Sequence, residues 1–484
     1  MRVLEKLNPN KVFYYFEEIS QIPRGSGNEK AISDYIVEFA KDRGLFVYQD
    51  SAYNVVIKKS GTKGYEDSQA VVLQGHIDMV CEKNNDVPHD FTKDPLKLKV
   101  EGDFVTADGT TLGADDGIAV AYMLALLDED GIKHPPLECL FTTDEEAGMK
   151  GAIQFDGSVL TGKRLINLDT EEEGKLLVSC CGGMKVTTQI NINYEEVSSE
   201  LMPLFIKIRG LKGGHSGSDI HLQRANANKL MGRVLKAISE VSVKVSKVNG
   251  GLMDNAISRE CDALIFVEGH KVEGLKAIVD NMKATFIHEY KGVEDSIDIL
   301  VEDVCGDIKY IAFDEITRKA VVDMLILIPY GVKTMSVDIE GLVESSNNIG
   351  VLRTMEDTVD FICAVRSSVA SRKQLIFDEI ETIGNLVNGK TFATSSYPGW
   401  EFNPNSEILA VTKEVFREFY KKEPVVEAIH AGLECGLFAE KIDGMDMISI
   451  GPDIFDAHTP DERICISSTE RVWEFLKLLL EKLK

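Results

Sequence analysis

Residues 71–80 read VVLQGHIDMV: an apolar, β-branched run that is broken by Gly75 and then ends in His76 and Asp78. Strands buried on both faces read as continuous apolar runs, so this stretch predicts a buried strand. The same pattern recurs in NVVIKK (54–59), LECLFTT (137–143), RLINLD (164–169) and MDMISIG (445–451). Between these stretches lies GIAVAYMLALLDE (117–129), apolar on every side and long enough for a buried helix. The alternation predicts an α/β core. Asn8 followed by Pro9 reads as an N-cap with proline in the first turn, opening a helix through Phe13 and Phe16. A second helix spans about 28–43 and stops at Gly44. Ser467 with Glu470 reads as a capping box ahead of RVWEFLKLLLEKLK.

The 484 residues suffice for two domains. From about residue 187 to 395 the character changes. Alternating stretches such as VTTQININY, LFIKIRG and ALIFVEG predict antiparallel strands, and ANANKLMGRVLKAIS and EGLKAIVDNMKATFIHEY predict helices. An α+β domain (187–395) is therefore expected as an insertion between two segments of the α/β core, 1–186 and 396–484.

Fifty-three Lys and Arg stand against 79 Asp and Glu, a net charge of −26 that repels nucleic-acid phosphate and anionic lipid. Neither nucleic acid nor membrane is an expected partner. No apolar run is long enough to span a bilayer, and the first twenty residues lack the pattern of a signal peptide. Nine cysteines form no CxxC pair, as expected of a reduced, cytoplasmic protein.

The ends of the predicted strands carry the chemistry. His76 and Asp78 close the first. Asp115 and Asp116 in LGADDG (112–117) open the buried helix. Glu145 and Glu146 follow LECLF, Asp169 follows RLIN, and His458 in DIFDAHTPDE (453–462) follows MDMISIG. Ligands of open α/β sheets bind beyond the carboxyl ends of the strands. Two histidines with several carboxylates suit a pair of borderline divalent ions such as Zn²⁺.

These motifs resemble those of the M20 family of co-catalytic metallopeptidases. LGADDGIAVAYML and TTDEEAGMKGA are especially similar to its aminoacyl-histidine dipeptidase branch. The resemblance implies a mixed-sheet core of the phosphorylase/hydrolase-like type, with a lid made of a doubled ferredoxin-like unit. It implies two metal ions per chain, most plainly Zn, with Co or Mn as alternatives. Asp115 would bridge them, His76 and Asp169 would complete one sphere, and Glu146 and His458 the other. Asp78 would orient His76, Glu145 would be the general base acting on a shared water, and the Asp115–Asp116 bond would be cis. In the lid, GLKGGHSGSDIH (210–221) resembles a motif whose histidine, here His215, donates to the oxyanion. NGGLMDNAIS (249–258) resembles a segment whose asparagine, Asn255, touches substrate. Arg366 in FICAVRSSV (361–369) is a candidate for gripping a substrate carboxylate, since guanidinium suits bidentate pairing. HAGLECG (430–436) resembles a substrate-pocket loop.

The expected activity is hydrolysis of dipeptides, with aminoacyl-histidine substrates among them. An aminopeptidase of short peptides and an N-acyl-amino-acid deacylase remain alternatives on the same fold, and a non-catalytic metal-binding protein is more remote. Small peptides are the expected partners, and a homodimer stays open.

Overall fold

The computed structural model describes residues 2–306 and 308–484. The chain divides into two units. The first comprises Met1–Ser179, Trp400–Ala428 and Leu433–Lys484; the second comprises Cys180–Gly399 and Ile429–Gly432. The breaks thus fall at Cys180 and Gly399, and four residues of the late chain join the second unit.

The first unit is built on an eight-stranded mixed sheet. Its order is Phe46–Gln49, Val55–Lys59, Leu137–Thr142, Val71–His76, Arg164–Asn167, Asp446–Ser449, Lys175–Cys180 and Val425–Ile429. Val71–His76 lies at the centre, parallel to both neighbours, with His76 level with Thr142. Asp446–Ser449 continues the parallel set beside Arg164–Asn167. All six residues of Val71–His76 are buried, as its uninterrupted apolar run requires. The parallel strands therefore end together, and their loops open on one edge of the sheet.

The helix Ala114–Asp128 packs against Val71–His76 and is buried almost throughout. Tyr122 anchors its far side: the ring stacks on Trp473 at 5.9 Å, and the hydroxyl donates to the Thr469 carbonyl. Asp115 and Asp116 lie inside its first turn with non-helical backbone angles, and the bond between them is cis. Gly75 allows strand and helix to approach: a Cβ there would lie 2.5 Å from both the Ala119 Cβ and an Asp116 carboxyl oxygen.

Two expected helix starts are not realised. Asn8–Pro9 is a cis bond, and the first helix begins at Asn10 with Pro9 outside it and no side-chain cap. The last helix begins at Ile466, so Ser467 lies inside its first turn and forms no capping box with Glu470. A distant carboxylate outcompetes that local pattern, since Asp103 accepts both the Ser467 hydroxyl and its backbone N–H.

The second unit carries a nine-stranded antiparallel sheet. Its order is Asp298–Asp303, Met202–Arg209, Cys261–Val267, Lys244–Gly250, Val343–Thr354, Thr358–Ser367, Gly182–Asn191 and Lys390–Tyr397, and Gly331–Met335 pairs with Val343–Thr354. One half runs strand Met202–Arg209, helix Ala227–Ile238, strands Lys244–Gly250 and Cys261–Val267, helix Val272–Glu289 and strand Asp298–Asp303. The other half repeats that order with helices Glu315–Leu327 and Ala370–Leu386, and the first half is inserted after its opening strand, Gly182–Asn191. Leu230, Val234 and Leu235 of one helix join Ile206, Ile265 and Phe361 of the sheet in a shared core.

Gly75→Ala is expected to lower the unfolding free energy by about 1–3 kcal/mol, the usual range for overpacking a filled interior. Denaturant titration of the metal-free variant checks this, and wild-type stability would show that the strand–helix contact yields without cost.

Candidate functional site

Seven of the sequence-predicted residues converge in the first unit. His76 ends a central strand with its Nε2 3.1 Å from Asp115 Oδ1 and 3.6 Å from Asp169 Oδ1. His458, at a positive φ in its loop, brings Nε2 to 3.0 Å from Asp115 Oδ2 and 2.9 Å from Glu146 Oε1. The two oxygens of Asp115 thus face different imidazoles. Side-chain donor atoms of His76, Asp116 and Asp169, of His76, Glu145 and Glu146, and of Asp115, Glu146 and His458 form three groups, each within 4.8 Å.

Asp78 is fully buried and faces His76 Nδ1 at 3.3 Å, without the alignment of a hydrogen bond. Its carboxylate accepts the Ser26 hydroxyl at 2.8 Å and the backbone N–H groups of Glu145 and Glu146 at 3.1 and 3.3 Å. One side chain therefore ties the His76 turn to the turn that carries both glutamates. Asp116, which the sequence places only at the opening of the buried helix, is buried and accepts the His76 backbone N–H at 3.2 Å.

The charges shape one another. Burial works to raise the Asp115 carboxyl, but the His458 and His76 imidazoles outweigh it and hold the group below the usual carboxylate range. Burial also opposes protonation of His76, yet Asp115, Asp169 and Asp78 lift its pKa well above the ordinary value. Asp115 and Glu146 push His458 up to about 11. Burial raises Glu145 well above the ordinary glutamate value, and burial with neighbouring carboxylates brings Asp169 to about 6. Among the described residues, no lysine or arginine forms an ion pair with Asp78, Asp115, Asp116, Glu145, Glu146 or Asp169. Buried carboxylates without basic partners call for cations, and nitrogen and oxygen donors in this proportion fit borderline divalent ions.

Beneath the cluster runs a buried polar chain that the sequence reading missed. The Asn167 amide donates to Gln74 Oε1 at 2.7 Å, and the Gln74 amide donates to Glu434 Oε2 at 2.6 Å. The Thr142 hydroxyl donates to the same Glu434 oxygen at 2.7 Å, and Ser449 hydrogen-bonds to Asn167. Glu434 is fully buried, and burial pushes its carboxyl up to about 8. The one trace of it in the sequence is the HAGLECG stretch.

The second unit brings together the remaining three candidates. Gly214–His215 pairs with Ala256–Ile257, and the Ser216 N–H donates to the Asn255 carbonyl at 2.7 Å. His215 Nδ1 accepts the N–H groups of Gly217 and Ser218, which assigns the ring proton to Nε2. Partial burial and the Arg366 charge lower the His215 pKa. Arg366 is 8% exposed, and its Nη1 lies 3.5 Å from the Tyr397 hydroxyl. Asn255, Arg366 and Tyr397 line a cavity of about 120 Å³.

Three comparisons bear on this geometry. Peptidase family M20/M25/M40 matches residues 72–482. The chain is 39% identical over 484 residues to the cytosol non-specific dipeptidase of Escherichia coli (strain K12), covering 100% of this chain and 99% of that one. The crystal structure of aminoacylhistidine dipeptidase from Vibrio alginolyticus superposes with a TM-score of 0.94 at 38% identity, over 99% of this chain and 97% of that one. Aminopeptidase PepT from Bacillus cereus ATCC 10987 shares the fold at a TM-score of 0.57 and 16% identity, over 99% of both chains. With the match running from the strand that ends in His76 to the end of the last helix, the chain belongs to peptidase family M20/M25/M40.

Proposed function

We propose that this peptidase hydrolyses dipeptides, aminoacyl-histidine dipeptides among them, in the cytoplasm, with two divalent metal ions held by the strand-end cluster. One observation carries the metal reading: the two oxygens of Asp115 face His76 and His458, which come from opposite ends of the chain. Asp115 would then be held in common by the two ions, with His76 and Asp169 holding one and Glu146 and His458 the other. Zn²⁺ fits this donor set, and Co²⁺ or Mn²⁺ are substitutes. When bound, such a pair supplies Lewis-acid polarisation and lowers the pKa of water. The substrate class and compartment follow the relatives, two of which are named as a cytosol non-specific dipeptidase and an aminoacylhistidine dipeptidase.

The chain's own groups do the rest. Glu145 stands beside Glu146 and is left free to accept a proton from the attacking water and return it to the leaving amine. Burial raises its pKa above the ordinary glutamate value, the direction that strengthens a carboxylate as a base. Asp78 fixes the orientation of the His76 ring, the usual task of a carboxylate behind a metal-binding imidazole. A neutral His215 with its proton on Nε2 is a suitable oxyanion donor. Arg366 and Asn255, on one cavity, suit recognition of a carboxylate and its neighbouring polar atoms.

Glu145→Ala is expected to lower kcat about 10²- to 10⁴-fold while metal content stays at the wild-type level. Metal analysis alongside dipeptide turnover checks this, and undiminished turnover would remove Glu145 from the mechanism. Chelation is expected to abolish dipeptide hydrolysis, with recovery on adding Zn²⁺, Co²⁺ or Mn²⁺. A panel of dipeptides, tripeptides and N-acetyl amino acids, read by released amino acid, is expected to favour dipeptides. Preference for either other class would overturn the substrate assignment.

A further inference from the structure

We infer that Glu462 and Arg24 are positioning residues that assemble the metal-ligand turns before any metal arrives. The inference rests on the metal-centre reading above and adds to it how the ligands are held. Glu462 is 2% exposed and lies four residues after His458. Its Oε2 accepts the backbone N–H groups of Leu112 and Gly113 at 2.7 and 2.9 Å. Its Oε1 accepts those of Ala114 and Asp115 at 2.7 and 3.3 Å. Four consecutive amides, on the turn that presents Asp115, thus converge on one carboxylate.

The residue that makes these contacts is itself fixed. The strands Ile454–Phe455 and Arg463–Cys465 pair with each other, so His458 sits on the loop of a hairpin and Glu462 at its base. The Glu462 N–H donates to the Thr459 carbonyl, and its own carbonyl accepts the Thr106 hydroxyl. The Asp115 turn and the His458 loop are therefore locked together by contacts independent of the one between their ligand atoms.

Arg24 adds the third turn. Its guanidinium is buried and donates to the carbonyls of Ile77, Asp78 and Gly113. A Cβ at Gly113, which has φ +66°, would lie 2.6 Å from Arg24 Nη2, and one at Gly117 would lie 2.5 Å from it. The two glycines of LGADDG make room for the guanidinium. Neither Arg24 nor Glu462 is among the side chains grouped as metal donors, so both act through the residues they hold.

The test uses the metal-free wild-type protein and two variants. Hydrogen exchange on wild-type protein stripped of metal is expected to show the amides of residues 112–115 protected; free exchange there would overturn the inference even if no variant folds. Glu462→Gln sets an amide N–H against backbone donors, and is expected to weaken Zn²⁺ affinity about 10- to 100-fold in competition with a chromophoric chelator. Glu462→Asp keeps the charge and is expected to recover part of that loss. A folded Glu462→Gln protein with wild-type Zn²⁺ affinity would show that the residue serves stability alone. Wild-type protein that takes up no Zn²⁺ would overturn the metal reading instead, and the wild-type titration tells the two failures apart.

Discussion

Negative charge confined to one small, mostly buried region is the constraint on which the catalytic unit depends. Asp78, Asp115, Asp116 and Asp169 lie with Glu145 and Glu146 around two imidazoles, and among the described residues no lysine or arginine forms an ion pair with them. Left to themselves these groups would separate or take up protons, and the raised pKa values of Glu145 and Asp169 express that pressure. The arrangement exists because backbone amides and carbonyls, tied by buried side chains from other turns, hold each acid where repulsion would not leave it. Such crowding is what a pair of divalent cations relieves.

The supports follow a common rule: a ligand-bearing turn is held by groups from another turn. Asp78 accepts amides from the glutamate turn, Glu462 accepts amides from the Asp115 turn, and Arg24 donates to carbonyls of the His76 turn and of the Asp115 turn. Lower in the sheet, Gln74, Thr142, Asn167 and Ser449 hydrogen-bond across adjacent strands through Glu434 and one another. Each of the first three lies two to four residues before a predicted ligand. Strand spacing under the site is thereby fixed by polar contacts as well as by the ladder, which buried networks do well when most of their members are satisfied.

The second unit solves a different problem. One β-α-β-β-α-β half is threaded into the other immediately after its first strand, and their sheets merge between Lys244–Gly250 and Val343–Thr354. Joining edge to edge removes two exposed strand edges that would otherwise offer unpaired N–H and C=O groups. His215 belongs to a separate two-stranded pairing with Ala256–Ile257, Asn255 immediately precedes that partner strand, and Arg366 lies on Thr358–Ser367 of the large sheet. His215 is held in one tautomer by its own turn, while Arg366 depends on Tyr397 from a distant strand.

Much of this was legible in the sequence. Continuous apolar runs marked the buried strands of the core sheet, including Val55–Lys59, which runs antiparallel to its neighbours, because burial on both faces leaves no room for alternation. Placing His76, Asp115, Glu146, Asp169 and His458 at strand ends pointed to a shared site, because parallel strands must terminate on one side. Tertiary structure alone decided the rest. Ser467 and Glu470 carried a valid local capping pattern, yet Asp103, more than 360 residues away, took the serine and moved the helix start. Arg24 and Glu462 gave no signal, and Glu434 only the HAGLECG stretch, because their partners are backbone amides, carbonyls and uncharged side chains, which every sequence contains. A pattern of residue types shows which groups can bind a metal, whereas the distances that hold those groups in place exist only once the chain has closed on itself.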